Sequence, residues 1–418
     1  MSSEVTATAP SPGVRQRWGA QVGLLAAGTF IMGTDAFVIA GVLPGISASF
    51  DISTGQAGQL VTVFSLSYAA LAPVLAALTG SWSRRRVLTT ALVVFAVGNA
   101  VTALAPSYGL VLGSRVVAAG GAALYTANAS ATASMLAGEH QRGRALSIVM
   151  LGLTSSLILG APLGTALGSV LDWRATMWFV TAMAVLVAPL ILWRIPKLHS
   201  GGATALRRRF VPLSDRRVLA VLATTVVVFT GIYVPYTYIS AVYQPATGDH
   251  GGRLAVLLLV FGTAGTAGNL MAGYLADRVG PMRVITVGTV ALAAVLLGVP
   301  VLRETFATAL VAVVLCGVFS FSVTTPQQHM IIALAPGERA VVTSLYQAAL
   351  YFAVSLSGVV GAFGLGTNVV GARYLSVLAA VFVLAATVLT RVSVAKHTQP
   401  EAGNDGWNHG ADMRSTET

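Results

Sequence analysis

A chain of 418 residues that is 55% hydrophobic and only 9% charged does not read as a soluble globular protein, where about a quarter of residues are charged. The formal net charge of +11 raises nucleic acid as a partner. However, the basic residues sit in short segments between apolar runs, as in the inner loops of membrane proteins, so no nucleic-acid partner is expected. The apolar runs approach 20 residues, too long for the alternating strands of a β-barrel, and they indicate an all-α membrane protein.

The chain opens with a Ser/Thr/Pro-rich segment, 1–17, expected to be disordered. It leads into an apolar stretch with no small-residue cleavage site, so a retained first span is expected and not a signal peptide. Apolar runs follow at 19–43, 57–80, 87–105, 108–131, 146–169 and 176–193. They resume at 218–241, 254–275, 284–302, 306–326, 340–363 and 374–391. Twelve spans in two groups of six imply two six-helix halves, 18–193 and 218–391, joined by a basic linker, 194–217, and followed by a tail, 392–418. Placing both termini in the cytoplasm puts 20 of the 25 Lys and Arg residues inside and leaves only Arg174, Arg253, Arg303 and Arg373 outside. The expected location is a bacterial inner membrane, with the lipid bilayer as partner and a monomer as the unit.

Between Trp18 and Pro44 lie 25 residues, of which Asp35 alone is charged. A helix of that length crosses a hydrocarbon core about 30 Å thick. A carboxylate at its centre costs about 2.5–3.5 kcal/mol on insertion scales. Such a side chain avoids lipid. It either faces a watered cavity, where it takes a proton or meets a cationic group, or it is a protonated structural carboxyl bonded to a neighbouring helix.

Polar residues are uneven among the other spans. The third, sixth, ninth and twelfth hold no ionisable residue in their interiors and suit the lipid-facing periphery. The remainder carry Arg115, Tyr68, Tyr125, Asn128, Tyr233, Tyr236 and Tyr346, and these tyrosines and Asn128, with Met32 and Asp35, are the candidate cavity lining. Taken singly, each aromatic also fits packing or interfacial anchoring. At an offset of 197 residues Arg86-Val87-Leu88-Thr89 aligns with Arg283-Val284-Ile285-Thr286, a weak repeat of the kind found in transporters built from duplicated halves. Ile232 stands at the position matching Asp35, so ionic coupling is expected in the first half. The six histidines fall in or near loops and tails and offer no metal site, and no phosphate-binding Gly-Lys-Ser/Thr loop is present. No cofactor is expected; a proton gradient is the expected energy source.

The segment Gly273-Tyr274-Leu275-Ala276-Asp277-Arg278-Val279-Gly280-Pro281-Met282-Arg283 matches the pattern Gly-x-Leu-Ala-Asp-Arg-x-Gly-x-x-Arg. On this motif the chain resembles the major facilitator superfamily, and within it the twelve-span drug:proton antiporters, over essentially all of 19–391. The resemblance implies a gating latch in which Asp277, Arg278 and Arg283 pair or cap helix ends, while Gly273 and Gly280 allow close approach and a turn. The first-half copy departs from the pattern. Ala76, Gly80 and Ser81 stand where Gly, Asp and Arg are expected, and only Arg84, Arg85 and Arg86 survive.

Arg115 looks like the fourth-span arginine to which the family assigns proton transfer; snorkelling to the interface is the other reading. The run from Leu159 to Gly168 resembles the Gly/Pro-rich antiporter motif, with one residue inserted between Gly160 and Pro162. Gly160, Pro162, Gly164 and Gly168 are therefore expected to kink the fifth span, simple helix packing being the alternative. The stretch from Gly33 to Pro44 looks most like chloramphenicol-resistance exporters and their purine- and sugar-efflux relatives. Those typically carry glutamate where this chain has Ala36, so Asp35 is displaced by one position, about 100° around a helix.

The function these readings favour is proton-coupled export of small lipophilic compounds, neutral or singly cationic. Export of a physiological solute such as a purine nucleoside or sugar is the alternative within transport. A membrane-embedded enzyme is disfavoured, since neither His-Glu-x-x-His nor Gly-x-Ser-x-Gly occurs. A non-transporting sensor of the same fold is a further reading.

Overall fold

In hydrocarbon every backbone N–H and C=O must bond within its own segment, so long apolar runs become helices. The computed structural model describes residues 12–198, 211–335, 338–366 and 370–395, and no strand occurs among them. Twelve helices in this set are long and apolar enough to cross a membrane. The first six span Trp18–Phe50, Thr54–Leu78, Arg84–Leu104, Tyr108–Ala137, Glu139–Val170 and Trp173–Arg194. The second six span Arg216–Thr237, Gly251–Val279, Pro281–Leu302, Phe306–Leu334, Val341–Gly366 and Gly371–Arg391.

The ends of these helices differ from the apolar runs where local chemistry intervenes. The first helix starts at Pro12, so 12–17 is helical where composition predicted disorder, and it runs through Pro44 to Phe50. Residues 1–11, residues 199–210 of the basic linker and the tail beyond 395 lie outside the described residues. Ser53 and Gln56 form a reciprocal capping box that starts the second span. Gly280, at φ +89°, turns the chain from the eighth span into the ninth, which Pro281 begins. In the fifth span, Ser156–Gly160 is a π-helical turn in which the Ala161 N–H donates to the Ser156 carbonyl. That wide turn accommodates Pro162 without breaking the span. Gly160 lies against Thr34, Gly164 against Val38 and Gly168 against Thr176, so the motif packs the fifth span on the first and sixth.

Within the first six helices, the third packs on the fourth and sixth; within the second six, the ninth packs on the tenth and twelfth. Between the halves, the second span meets the eleventh and the fifth meets the eighth. By the repeat, the second corresponds to the eighth and the fifth to the eleventh, so a pseudo-two-fold exchanges the two contacts.

Twelve crossings return the chain to its starting side, here named the terminal side, opposite the far side. Towards the far side the halves are hydrogen-bonded together. Gln59 Nε2 donates to the Gly358 carbonyl at 3.4 Å, Thr62 Oγ1 to that of Ser355 at 3.2 Å, and the Tyr236 hydroxyl to that of Phe37 at 3.3 Å. From mid-bundle towards the terminal side they part around a cavity.

Candidate functional site

The cavity has a volume of about 330 Å³, within the range of small-molecule sites. Its two walls differ. The first half contributes Ala36, Phe37, Ala40, Val61, Met150 and Leu157, relieved by Ser65 and Thr154. The second half contributes Tyr233, Tyr236, Asn269, Gln328, Tyr346 and Gln347, among others. No acidic, basic or histidine side chain belongs to the lining among the described residues. Tyr236 meets Phe37 and Tyr233 edge-on, with ring centroids 6.1 and 6.0 Å apart. The tenth span breaks between Phe321 and Thr324, which brings Thr324 and Thr325 into the wall. There the Thr324 carbonyl accepts from Tyr346 at 3.3 Å, and Thr325 donates to Asn269 Oδ1 at 2.8 Å.

Three of the candidate lining residues, Tyr233, Tyr236 and Tyr346, line this cavity. The others do not. Met32 is buried in the first-half core. Tyr125 is fully buried and donates to the Leu25 carbonyl at 3.2 Å. Asn128 accepts from Arg84 and donates to the Leu124 carbonyl at 2.7 Å. Tyr68 stands one layer behind the wall, stacked at 3.7 Å on Tyr351, which does line the cavity. The sequence reading passed over Asn269, Gln328 and Gln347. Their signal was available, because an amide in an apolar span is costly unless it faces a partner or water.

Asp35 also leaves the wall. Its neighbours Ala36 and Phe37 face the cavity, and one residue of helical rotation turns Asp35 into the first-half core. There Arg115 Nη1 donates to Asp35 Oδ1 at 2.8 Å and to Asn99 Oδ1 at 3.4 Å. The two side chains are 0% and 1% exposed, so Arg115 does not snorkel. Its guanidinium lies 4.4 Å from the Phe64 ring centre, a cation–π contact. Asp35 Oδ2 and Arg115 Nε have no hydrogen-bond partner. The pair is therefore closed on one edge and open on the other.

The expected latch residues lie on the terminal side. Arg278 covers the Tyr274 ring at 4.3 Å, and Asp277 is exposed, with no ion pair to Arg278 or Arg283 among the described residues. In the first-half copy Arg84 reaches Asn128, and Arg86 covers Trp82 at 4.7 Å. This latch is not engaged in the observed state.

Among curated relatives, the uncharacterized MFS-type transporter YbcL of Bacillus subtilis is 29% identical over 367 residues, covering 88% of this chain and 94% of that one. A chloramphenicol resistance protein of Streptomyces lividans is 33% identical over 262 residues, 61% and 66% of the two chains. The inner membrane transport protein YdhP of Escherichia coli is 27% identical over 379 residues, 90% and 96%. Among solved structures, an inward-facing, unoccupied bacterial homologue of the human lysosomal transporter Spinster superposes with TM-score 0.74 at 18% identity, covering 94% of this chain and all of that one. The nucleoside transporter NupG gives 0.74 at 12% identity, covering 90% and 99%. These two establish the fold. The sequence profile of the Major Facilitator Superfamily matches residues 25–358, with a further match over 250–409. With twelve membrane-crossing helices and a central cavity between its halves, the chain belongs to the major facilitator superfamily and is a multi-pass membrane transporter, not an enzyme.

Proposed function

We propose that the protein exports small lipophilic compounds across the bacterial inner membrane in exchange for protons, taking neutral compounds in preference to singly cationic ones. The observation that carries this reading is the uncharged cavity wall beside a buried, half-open ion pair. Without a lining charge, a strongly anionic or dicationic solute loses its hydration and gains no counter-ion. Apolar burial supplies the affinity, and the tyrosines and amides fix orientation. A chloramphenicol resistance protein among the relatives is in keeping with this solute class.

The excess of basic residues on the terminal side supports placing it in the cytoplasm, and on that reading the observed state faces inward. A solute enters from the cytoplasm, the halves close beneath it and part at the far side. Asp35 takes the proton at Oδ2, and release of Arg115 from its counter-charge links protonation to a shift of the first span against the fourth. The gradient is the energy source, no cofactor takes part, and the monomer is the working unit. Export of a purine nucleoside is a second reading, favoured by the three amides of the second-half wall.

Everted membrane vesicles test the main reading. Respiring vesicles containing the protein should accumulate labelled chloramphenicol, and dissipating the pH gradient should release it. Asp35→Asn keeps an acceptor for Arg115, and it should leave binding intact while abolishing accumulation. Concentrative uptake by that variant would refute the proton role. Uptake of dicarboxylates in place of neutral amphiphiles would refute the substrate class.

A further inference from the structure

The seventh span breaks up as it reaches the far side. Pro235 lies in its last turn, the helix Arg216–Thr237 stops at Tyr238, and two short turns, Ile239–Val242 and Gln244–Thr247, follow. Tyr238 is 0% exposed. A phenol buried that deeply needs a partner, and its hydroxyl donates to the Gly358 carbonyl of the eleventh span at 2.7 Å. Beside it the Thr237 and Ser357 hydroxyls lie 3.2 Å apart. These bonds stay within the second half, so that half carries the ring.

Two glycines make room for the ring. A Cβ on Gly361 of the eleventh span would stand 2.2 Å from Tyr238 Cε2. A Cβ on Gly58 of the second span would stand 2.1 Å from its hydroxyl oxygen, 2.4 Å from Cζ and 2.5 Å from Cε1. The two seats differ in kind. Gly361 moves with Tyr238, whereas Gly58 belongs to the other half. The Gly55 carbonyl, one turn from Gly58, is 3.5 Å from the Tyr238 hydroxyl, too far for a strong bond. The first half is therefore held against the ring by fit. When the second span withdraws, the hydroxyl keeps its bond to Gly358, and no buried donor is left unpaired.

We propose that Tyr238 is the far-side gate residue of this transporter. Its ring, carried by the second half, closes the space against Gly58 of the first, and the second span must leave it for the far side to open. This holds whichever solute is carried and in whichever direction.

The test uses the purified full chain in detergent, where a maleimide reaches both sides, with Cys316 replaced by alanine. Ser240→Cys, at a far-side position 8% exposed, reports opening there, and Thr154→Cys in the central cavity wall reports opening at the terminal side. Gly58→Ala adds a methyl group to a filled contact, and overpacking of this kind biases a two-state equilibrium by about 5- to 150-fold. Labelling at Ser240→Cys should rise at least about fivefold, while labelling at Thr154→Cys does not rise. Alanine suits a helix better than glycine, so the thermal unfolding midpoint should not fall. With Tyr238→Ala the added methyl has space, and Gly58→Ala should then change neither rate by more than about twofold. Tyr238→Leu, which lacks the hydroxyl, Cζ and Cε atoms that the methyl would meet, serves if the alanine variant fails to assemble. Unchanged labelling in Gly58→Ala, an equal effect with and without the Tyr238 ring, or a rise at both reporters, the mark of a loosened bundle, would each overturn the proposal.

Discussion

The two halves of this protein share a plan and divide the chemistry. At the repeat offset of 197 residues, Asp35, Phe64, Asn99 and Arg115 correspond to Ile232, Phe261, Leu296 and Ala312. In the first half these positions hold a buried ion pair with its amide and aromatic supports. In the second, Ile232, Phe261 and Leu296 surround a void of only about 20 Å³. The same helix geometry therefore accommodates a buried ion pair or plain apolar packing, according to side chains alone. The cavity walls show the reverse bias, with the tyrosines and amides coming from the half that has no ion pair. In the function proposed here, one half senses the proton and the other grips the solute, and their contact at the second, fifth, eighth and eleventh spans couples the two.

The largest test of this division is to make the first half resemble the second. Asp35→Leu leaves Arg115 buried without a counter-charge, a loss of about 3–5 kcal/mol. A clear drop in the thermal unfolding midpoint of the purified protein should follow. Adding Arg115→Met should restore the midpoint but not proton-driven uptake. A single variant as stable as the parent would show that the pair does not hold the first half together.

Removing polar groups from the opposite walls comes next. Gln347→Ala or Gln328→Ala each takes away a hydrogen bond worth about 0.5–1.5 kcal/mol, which should raise the KM for chloramphenicol roughly two- to tenfold. Ser65→Ala, on the first-half wall, should change it by less than the smaller of the two. Equal effects on the two walls would erase the proposed asymmetry of solute contact.

The smallest effect belongs to the latch. Among the described residues Asp277 makes no ion pair in the observed state, so Asp277→Asn should leave that state's stability unchanged. If Asp277 pairs in the outward-facing state, an exposed pair worth about 0.2–1 kcal/mol is lost there. Cytoplasmic labelling of a cysteine at Thr154 should then rise by a factor of about 1.4 to 5. Unchanged labelling would remove Asp277 from gating.

Much of this was legible in the residue string. Span number, the two groups of six and the special standing of Asp35 follow from how hydrocarbon treats backbone and charge. Such energies depend on residue type and on position along the chain, both of which the string records. Its helix ends fell short at Pro12–Arg17 and beyond Pro44, where the first helix runs on. What the string does not record is the rotation of each helix about its axis. Consecutive residues point about 100° apart, so only packing decides that Ala36 meets the solute cavity while Asp35 meets Arg115. The same rotation buries Tyr125 and Asn128 and brings Gln328 and Gln347 to the wall.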